Sequence, residues 1–235
     1  MKLAAFSLPA KLWLAVTAVL SVFAIPQPVL AGCSDGPAAA VDWTACSKER
    51  LMLNGMDMTA GTFENAFLSG TGFNGALMAG ANLQRSELVR SSFIGADLTG
   101  ANLEKSLASR SEFGGAILRG ARLVKAEFLR VSFAKADLTD ADLSGGDFYR
   151  NDFSEAQMTG ADLHDAIIPR AVFTGAAMKG VNLAGAFLLR THFENVDLSE
   201  VTGLEQSQLD LACGDAATIL PVGLTAPTHW PCSGE

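Results

Sequence analysis

The chain has 235 residues, 49% of them hydrophobic, and a formal net charge of −8 at pH 7, from 25 Asp and Glu against 17 Lys and Arg. The acidic balance speaks against general nucleic-acid binding, which requires a basic face. Four cysteines in the whole chain make cysteine placement the first clue to compartment.

Residues 1–32 read as a removable export signal. Lys2 and Lys11 precede an apolar run from Leu12 to Ile25, 14 residues long, whereas a membrane-spanning helix needs about 20. Val29-Leu30-Ala31 places small residues for cleavage before Gly32. Removing this segment takes two lysines with it and leaves 15 basic against 25 acidic residues, a net −10. A rival reading uses the same residues: Leu30-Ala31-Gly32-Cys33 fits a bacterial lipobox, in which Cys33 carries a lipid and tethers the protein to a membrane.

Residues 33–50 are expected to form an N-terminal cap, with Val41-Asp42-Trp43 as an aromatic lid ahead of Cys46. Cys33 and Cys46 lie before the central region, and Cys213 and Cys232 lie after it. An even number of cysteines in an exported chain suggests disulfides, with three possible connectivities. Cys33–Cys46 and Cys213–Cys232 are the local pairings. Lipidation of Cys33 would leave Cys46 without its neighbour.

From residue 51 to residue 200 the chain is written in fives. Every fifth position from Leu53 to Leu198 is Leu, Phe, Met or Ile, except Ala108, so 150 residues form thirty uninterrupted pentapeptides. Two residues before each centre usually stands a small residue, as in Ala96, Ala101, Ala136 and Ala161; between them often stands Asp, Asn or Glu, as in Asp97, Asn102 and Asp142. A period of five suits neither a helix, where successive centres would march around the cylinder, nor a flat strand, where they would alternate faces. It requires a corner in every repeat. Within such a unit Ala136 and Leu138 point inward, Asp137 points out, and Thr139-Asp140 make the bend.

A second period of twenty counts the corners per circuit. Leu53 is followed by Phe73, Phe93, Phe113, Phe133, Phe153, Phe173 and Phe193, while the column from Phe63 to Leu183 is otherwise Leu and that from Met58 to Leu198 is Leu and Met. Four pentapeptides per coil stack like on like. The pattern predicts a four-sided, all-β solenoid of about 7.5 coils, roughly 35 Å long at the usual strand spacing. Ala108 is expected to leave a void unless Leu107 or Phe128 fills it.

Units such as Ala-Asp-Leu-Thr-Gly (96–100), Ala-Asn-Leu-Glu-Lys (101–105) and Ala-Asp-Leu-Ser-Gly (141–145) resemble the pentapeptide repeat family. The resemblance implies a right-handed quadrilateral parallel β-helix. Ile117, Ile167 and Phe187 depart from the pattern at its usual Asp or Asn position. The family's best-characterised branch resembles B-DNA in shape and charge and binds DNA gyrase or topoisomerase IV, conferring quinolone protection; the signal segment and paired cysteines do not fit that branch.

Residues 201–235 are expected to form the C-terminal cap. A short helix is predicted from Gly203-Leu204 to about Ala212, followed by a loop through Pro221, Pro227, Trp230 and Pro231 back to Cys232. The segment 213–232 is similar to the C-terminal caps of secreted bacterial members of the family. Terminal coils expose an apolar cross-section, and capping segments must cover it.

Charge is unevenly spread. Residues 85–135 hold nine basic groups against five acidic, and residues 137–165 hold eight acids against Arg150 alone. Arg90, Arg110, Arg130, Arg150, Arg170 and Arg190 recur every twenty residues and must form a ladder along one edge. Glu87, Glu127 and Asp147 share that side with Leu107, Leu129, Tyr149, Ile167, Phe187 and Leu189. Three readings are open. The Arg stems line the corner and bond carbonyls of the next coil; or the side is an interface for an unidentified protein or a second copy of the chain; or it is a track for a polyanionic glycan or lipid headgroup. No nucleic-acid partner is expected, and a membrane only if Cys33 is lipidated.

No motif for catalysis or a cofactor is found. His164, His192 and His229 lack metal-ligand spacing. Asp142 and Asp162 fall on one side a coil apart, an arrangement open to Ca²⁺ but better read as a solvated face. The chain is therefore expected to be a non-enzymatic exported scaffold or interaction module.

Overall fold

The computed structural model describes residues 32–232. The proposed signal segment lies outside these residues, apart from Gly32. No helix of the described residues is long and apolar enough to cross a membrane.

Parallel bridges join each residue between Ala-type and Leu-type positions to the residue twenty further on, from Asp42↔Thr62 and Ser47↔Phe67 to Ile167↔Phe187 and Val172↔His192. One circuit is thus four pentapeptides, and the chain is a β-bridged solenoid with four short sides per coil. Two repeats extend into true strands, β1 (Leu107–Ser109) and β2 (Glu127–Leu129), paired in parallel with Ala108 opposite Phe128. The same bridge-and-turn alternation already runs through residues 41–50.

Each corner turns through a residue with positive φ at the fifth position of the repeat. Glycine serves at many, such as Gly95, Gly100 and Gly115, but Ala60, Asn65, Lys125 and Asp140 adopt the same left-handed conformation. The Asp or Asn at the bridge position explains itself here: its Oδ1 accepts the backbone N–H two residues on. Asp57 holds Thr59 N at 3.0 Å, Asp97 holds Thr99 N at 3.0 Å, and Asn102 holds Glu104 N at 3.1 Å. These Asx turns set the bend. β1 and β2 lack an Asp or Asn at that position, but so do the turns at Ile117, Ile167 and Phe187, so the missing acceptor alone does not produce a strand.

The axis is filled as the twenty-residue period requires. Successive rings from Phe73 to Phe193 stack with centroids 4.6 to 5.3 Å apart, all fully buried. The space beside Ala108 is taken by Phe128, whose ring lies 5.7 Å from Phe113 and 5.9 Å from Phe133; Leu107 points outward and is 43% exposed.

At the N-terminal end Trp43 is fully buried and meets Phe63 edge-on at 5.8 Å, while Lys48 Nζ stands 4.1 Å above the indole. Cys33 is bonded to Cys46 and Cys213 to Cys232. The C-terminal helix is shorter than its sequence suggests: α1 spans only Gln206–Leu209. Beyond it the chain rejoins the solenoid, bridging His192↔Cys213 and Asp197↔Ile219. Those offsets of 21 and 22 residues, against twenty elsewhere, accommodate α1. Gln208 Nε2 donates to the carbonyls of Leu183 and Ala186, both at 2.8 Å, so the helix closes backbone groups of the coil beneath it.

Candidate functional site

The Arg-bearing side is built by one column of bridges: Phe67, Glu87, Leu107, Glu127, Asp147, Ile167 and Phe187 stand in register, each over the last. A second column, two residues further along each repeat, carries Leu129, Tyr149 and Leu189. Phe67, Leu107, Leu129, Ile167, Phe187 and Leu189 are exposed, between 37% and 47%. They alternate with only three carboxylates, two of which serve the rod itself. Glu87 Oε1 accepts from Ser69 Oγ at 3.0 Å, and Asp147 Oδ1 accepts from Tyr149 N at 3.1 Å.

The six ladder arginines occupy the corner that follows. All have left-handed backbones, with φ from 54° to 57°. Their own N–H groups donate to the next coil, from Arg90 to Ser109 O at 2.9 Å through Arg190 to Leu211 O at 2.7 Å. Corner side chains lean toward the following coil: a Cβ on Gly70 would meet Arg50 Cγ at 3.3 Å. Arg50 is itself in this column, with φ 55°. Sequence reasoning missed it because it precedes the regular array by one residue and Gly70 interrupts the ladder.

The corner is braced from inside. Directly after Arg90, Arg110 and Arg190 come the buried hydroxyls of Ser91, Ser111 and Thr191. These donate to the carbonyls of Leu68 at 2.8 Å, Leu88 at 2.6 Å and Ile168 at 2.7 Å, each 23 residues back. The arginines therefore stand on a fixed edge.

Their side chains are used differently from the rod's other cations. Arg85 pairs with Glu64 at 3.0 Å, Arg119 with Asp137 at 2.5 Å, Lys179 with Glu200 at 3.1 Å, and Arg122 reaches Glu104 at 3.5 Å. By contrast, Arg90, Arg110, Arg130 and Arg190 are exposed, and their guanidinium groups make no hydrogen bond or ion pair among the described residues. Arg150 is half-buried, its guanidinium carbon 5.4 Å from the Tyr149 ring centre.

The remaining candidates are engaged locally. Asp142 Oδ1 accepts from Ser144 N and Oγ, and Asp162 Oδ1 accepts from His164 N and Asn182 Nδ2. Asp162 Oδ2 lies 2.9 Å from His164 Nδ1. That contact raises the His164 pKa above its ordinary value. Partial burial pushes Asp162 upward, but the bonds from His164 and Asn182 prevail and hold it below the usual carboxylate value. His192 Nδ1 lies 2.8 Å from Glu194, and His229 Nε2 lies 3.0 Å from Ala212 O. Among the described residues no three His, Cys, Asp or Glu side chains cluster as a metal site would require.

A profile of pentapeptide repeats matches the chain in eight copies, over residues 62–95, 111–148 and 132–168. No curated protein matches it in sequence. Among solved structures it is similar to a pentapeptide repeat protein of the Arabidopsis thaliana thylakoid lumen, at 29% identity over 40% of this chain, with a TM-score of 0.39. That match spans 66% of the plant protein, just under two thirds of its length. HetL, a pentapeptide repeat protein involved in heterocyst differentiation regulation in the cyanobacterium Nostoc, is 19% identical over 81% of this chain and 90% of its own, with a TM-score of 0.33. QnrB1, a plasmid-mediated fluoroquinolone resistance protein, is 23% identical over 77% of this chain and 86% of its own, with a TM-score of 0.42.

Proposed function

We infer that this member of the pentapeptide repeat family is an exported, non-enzymatic binding scaffold whose Arg-bearing side is its contact surface. The observation that carries this reading is the recurrence of arginine at the ladder corner. A non-glycine residue held at positive φ costs about 1 kcal/mol or more, and glycine removes that cost. Glycine serves at many other corners, yet arginine stands at this one in six successive coils. Four of those arginines contribute no side-chain bond to the fold. The left-handed backbone alone does not point to a ligand, since Ala60 and Lys125 share it; the recurrence of one charged side chain at a single corner in six coils, four of them without a side-chain bond among the described residues, does. The neighbouring exposed Leu107, Leu129, Ile167, Phe187 and Leu189 suit a surface that is covered in use.

The finer architecture belongs to the same reading. Residues 51–200 wind right-handedly, thirty repeats at four per coil giving about 7.5 coils, between a C-terminal cap at 201–235 and an N-terminal cap at 33–50 whose residues 41–50 already share the bridge-and-turn pattern. Export of the chain after removal of 1–32 is supported by the two disulfides, which persist in oxidising compartments. The Cys33–Cys46 bond occupies the thiol that lipid attachment would need, which favours soluble release. The rod presents groups at fixed spacing for contact.

Hydroxyl-radical footprinting tests the contact surface. Tyr149 and Leu129 should be oxidised more slowly in a native extract of the exported compartment than in purified protein. The protection should disappear in the Arg110→Gly/Arg130→Gly variant. Equal oxidation of these residues in extract and in buffer would remove the reading.

A further inference from the structure

We propose that the Arg ladder binds a linear polyuronate, an unbranched acidic polysaccharide with one carboxylate per sugar ring, laid lengthwise along the rod. The proposal rests on the contact-surface reading and names its occupant.

The ladder presents one arginine per coil, at a repeat of about 4.8 Å set by strand spacing. A ligand that engages several rungs must be straight and must carry its charges in step with them. In an extended peptide, side chains on one face recur every second residue, roughly 6.8 Å, and fall out of register within a few rungs. Duplex DNA carries a charge per about 1.7 Å of axis on two strands that wind away from a straight edge. A 1,4-linked polyuronate presents its carboxylates once per pyranose ring, at a repeat close to the coil rise. Where successive rings turn over, alternate carboxylates meet alternate rungs.

The guanidinium fork matches a carboxylate with two parallel hydrogen bonds, which an ammonium cannot do. Arg90, Arg110 and Arg130 are three successive exposed rungs with that fork unused among the described residues. Beside them Leu129 and Tyr149 offer an apolar strip to the C–H faces of the sugar rings.

The chain is acidic as a whole, but this edge sets six arginines against five carboxylates, Glu87, Glu127 and Asp147 on one flank and Glu112 and Asp152 on the other, and is net positive. A polyanion is repelled by the rest of the rod and drawn to this edge. A second copy docking face to face would instead oppose two arginine ladders, which disfavours self-association through this side.

Calorimetric titration of the mature, oxidised protein with an unbranched oligogalacturonate tests the proposal, with its fully methyl-esterified form and an oligoglutamate peptide as controls. Binding of the free acid is expected, weakened by added salt, and none of the ester. The double variant Arg110→Gly/Arg130→Gly should weaken binding roughly tenfold or more, the size of at least one charge-assisted bond, because one of two adjacent rungs is engaged whether the carboxylates meet every rung or alternate rungs; at least one of the single variants should do the same. Because glycine suits the corner, the variants should melt no lower than the parent, so lost affinity cannot be ascribed to unfolding. Equal affinity of parent and variants, or equal binding of the ester, overturns the proposal. Oligoglutamate bound in place of the glycan also overturns it while leaving the contact surface standing, as does failure of every probe when Tyr149 remains protected in extract. Failure of every probe together with an unprotected Tyr149 removes both readings.

Discussion

A Cβ placed on Gly146 would lie 2.6 Å from the Phe148 ring and 3.0 Å from the Ala126 carbonyl oxygen. Gly61 and Phe63 repeat the relationship, at 2.7 Å from the ring and 3.0 Å from Met58 O. In Phe63's column the later centres are Leu, with Ala before Leu83, Leu103 and Leu123. When Phe takes the centre there or at 148, the small residue beside it shrinks to glycine. Phe128 keeps Ala126 because its register partner is Ala108, whose missing side chain gives the ring somewhere to go.

Gly146→Ala should therefore destabilise the rod by about 1–3 kcal/mol, as overpacking does in well-filled cores. Denaturant unfolding measures it. The compensated variant Gly146→Ala/Phe148→Leu restores an ordinary repeat and should recover most of the loss. A double variant as unstable as the sum of its two singles would show that the glycine answers to something else.

Asn151 sits at a corner position held by hydroxyls in Thr71, Ser91, Ser111 and Thr191 and by aliphatic side chains in Leu51, Val131 and Ala171. Its Oδ1 accepts from Val131 N at 2.8 Å, but its Nδ2 is buried without a hydrogen-bond partner. Thr71, at the equivalent place, satisfies both directions: it accepts from Leu51 N at 3.3 Å and donates to Lys48 O at 2.6 Å. In Asn151→Thr the hydroxyl would accept from Val131 N, donate to Phe128 O and remove the orphaned amide. A gain of about 1 kcal/mol is expected, since an unsatisfied buried donor costs roughly 1–3 kcal/mol. A lower melting temperature for this variant would refute the comparison with Thr71.

Much of this architecture is legible because like stacks on like. The fives mark the corners, the twenties mark the coils, and the Phe73-to-Phe193 column is visible without coordinates. What escapes is any bond that links positions of different kinds. The Oδ1 of Asp97 or Asn102 fixing its own turn is written only as a preference for Asp or Asn. The Ser111 hydroxyl reaching Leu88 O spans 23 residues, a separation that no periodicity displays. The arginine ladder is visible as spacing, but its left-handed backbone and the unbonded guanidinium groups of Arg90, Arg110, Arg130 and Arg190 among the described residues are not. The helix prediction overran α1 because Asp210 to Cys213 serve to re-enter the bridge register at His192, a demand of the coil below.

The Asp162–His164 contact makes a pH prediction. A raised His164 pKa means its contribution is fully present below the ordinary value of 6.5 and is lost as pH rises through the higher folded value. A lowered Asp162 pKa means its contribution is present above the ordinary 3.8 and is lost as pH falls through the lower folded value. The pair is thus intact from mildly acidic to near-neutral pH. Both groups are substantially exposed, so the effect on stability is small, and the sensitive readout is the His164 titration by NMR. Its midpoint should lie above 6.5 in the parent and fall back toward that value in Asp162→Asn. An identical midpoint in both proteins would mean that Asp162 does not hold the ring.

The C-terminal disulfide should be the cap's principal fastening. Cys213 is buried and in register, its N–H bonded to Thr191 O at 2.8 Å and its carbonyl accepting from Phe193 N at 2.9 Å. Cys232 ends a loop that returns to the same place, where Trp230 Nε1 donates to Ala212 O at 2.7 Å. Closing 19 residues of chain restricts the unfolded state by about 3 kcal/mol on loop-entropy grounds. Cys232→Ser leaves the buried Cys213 backbone undisturbed and should lower stability by about 2–4 kcal/mol under oxidising conditions. Reductant should erase most of the difference by bringing the parent down to the variant. Because the loop covers the last coil, amide exchange at Phe193 should quicken in Cys232→Ser while that at Phe113, deep in the rod, stays slow. Equal exchange at Phe193 in both proteins would mean that the hydrogen bonds of Trp230 and Gln208 hold the cap without the bond.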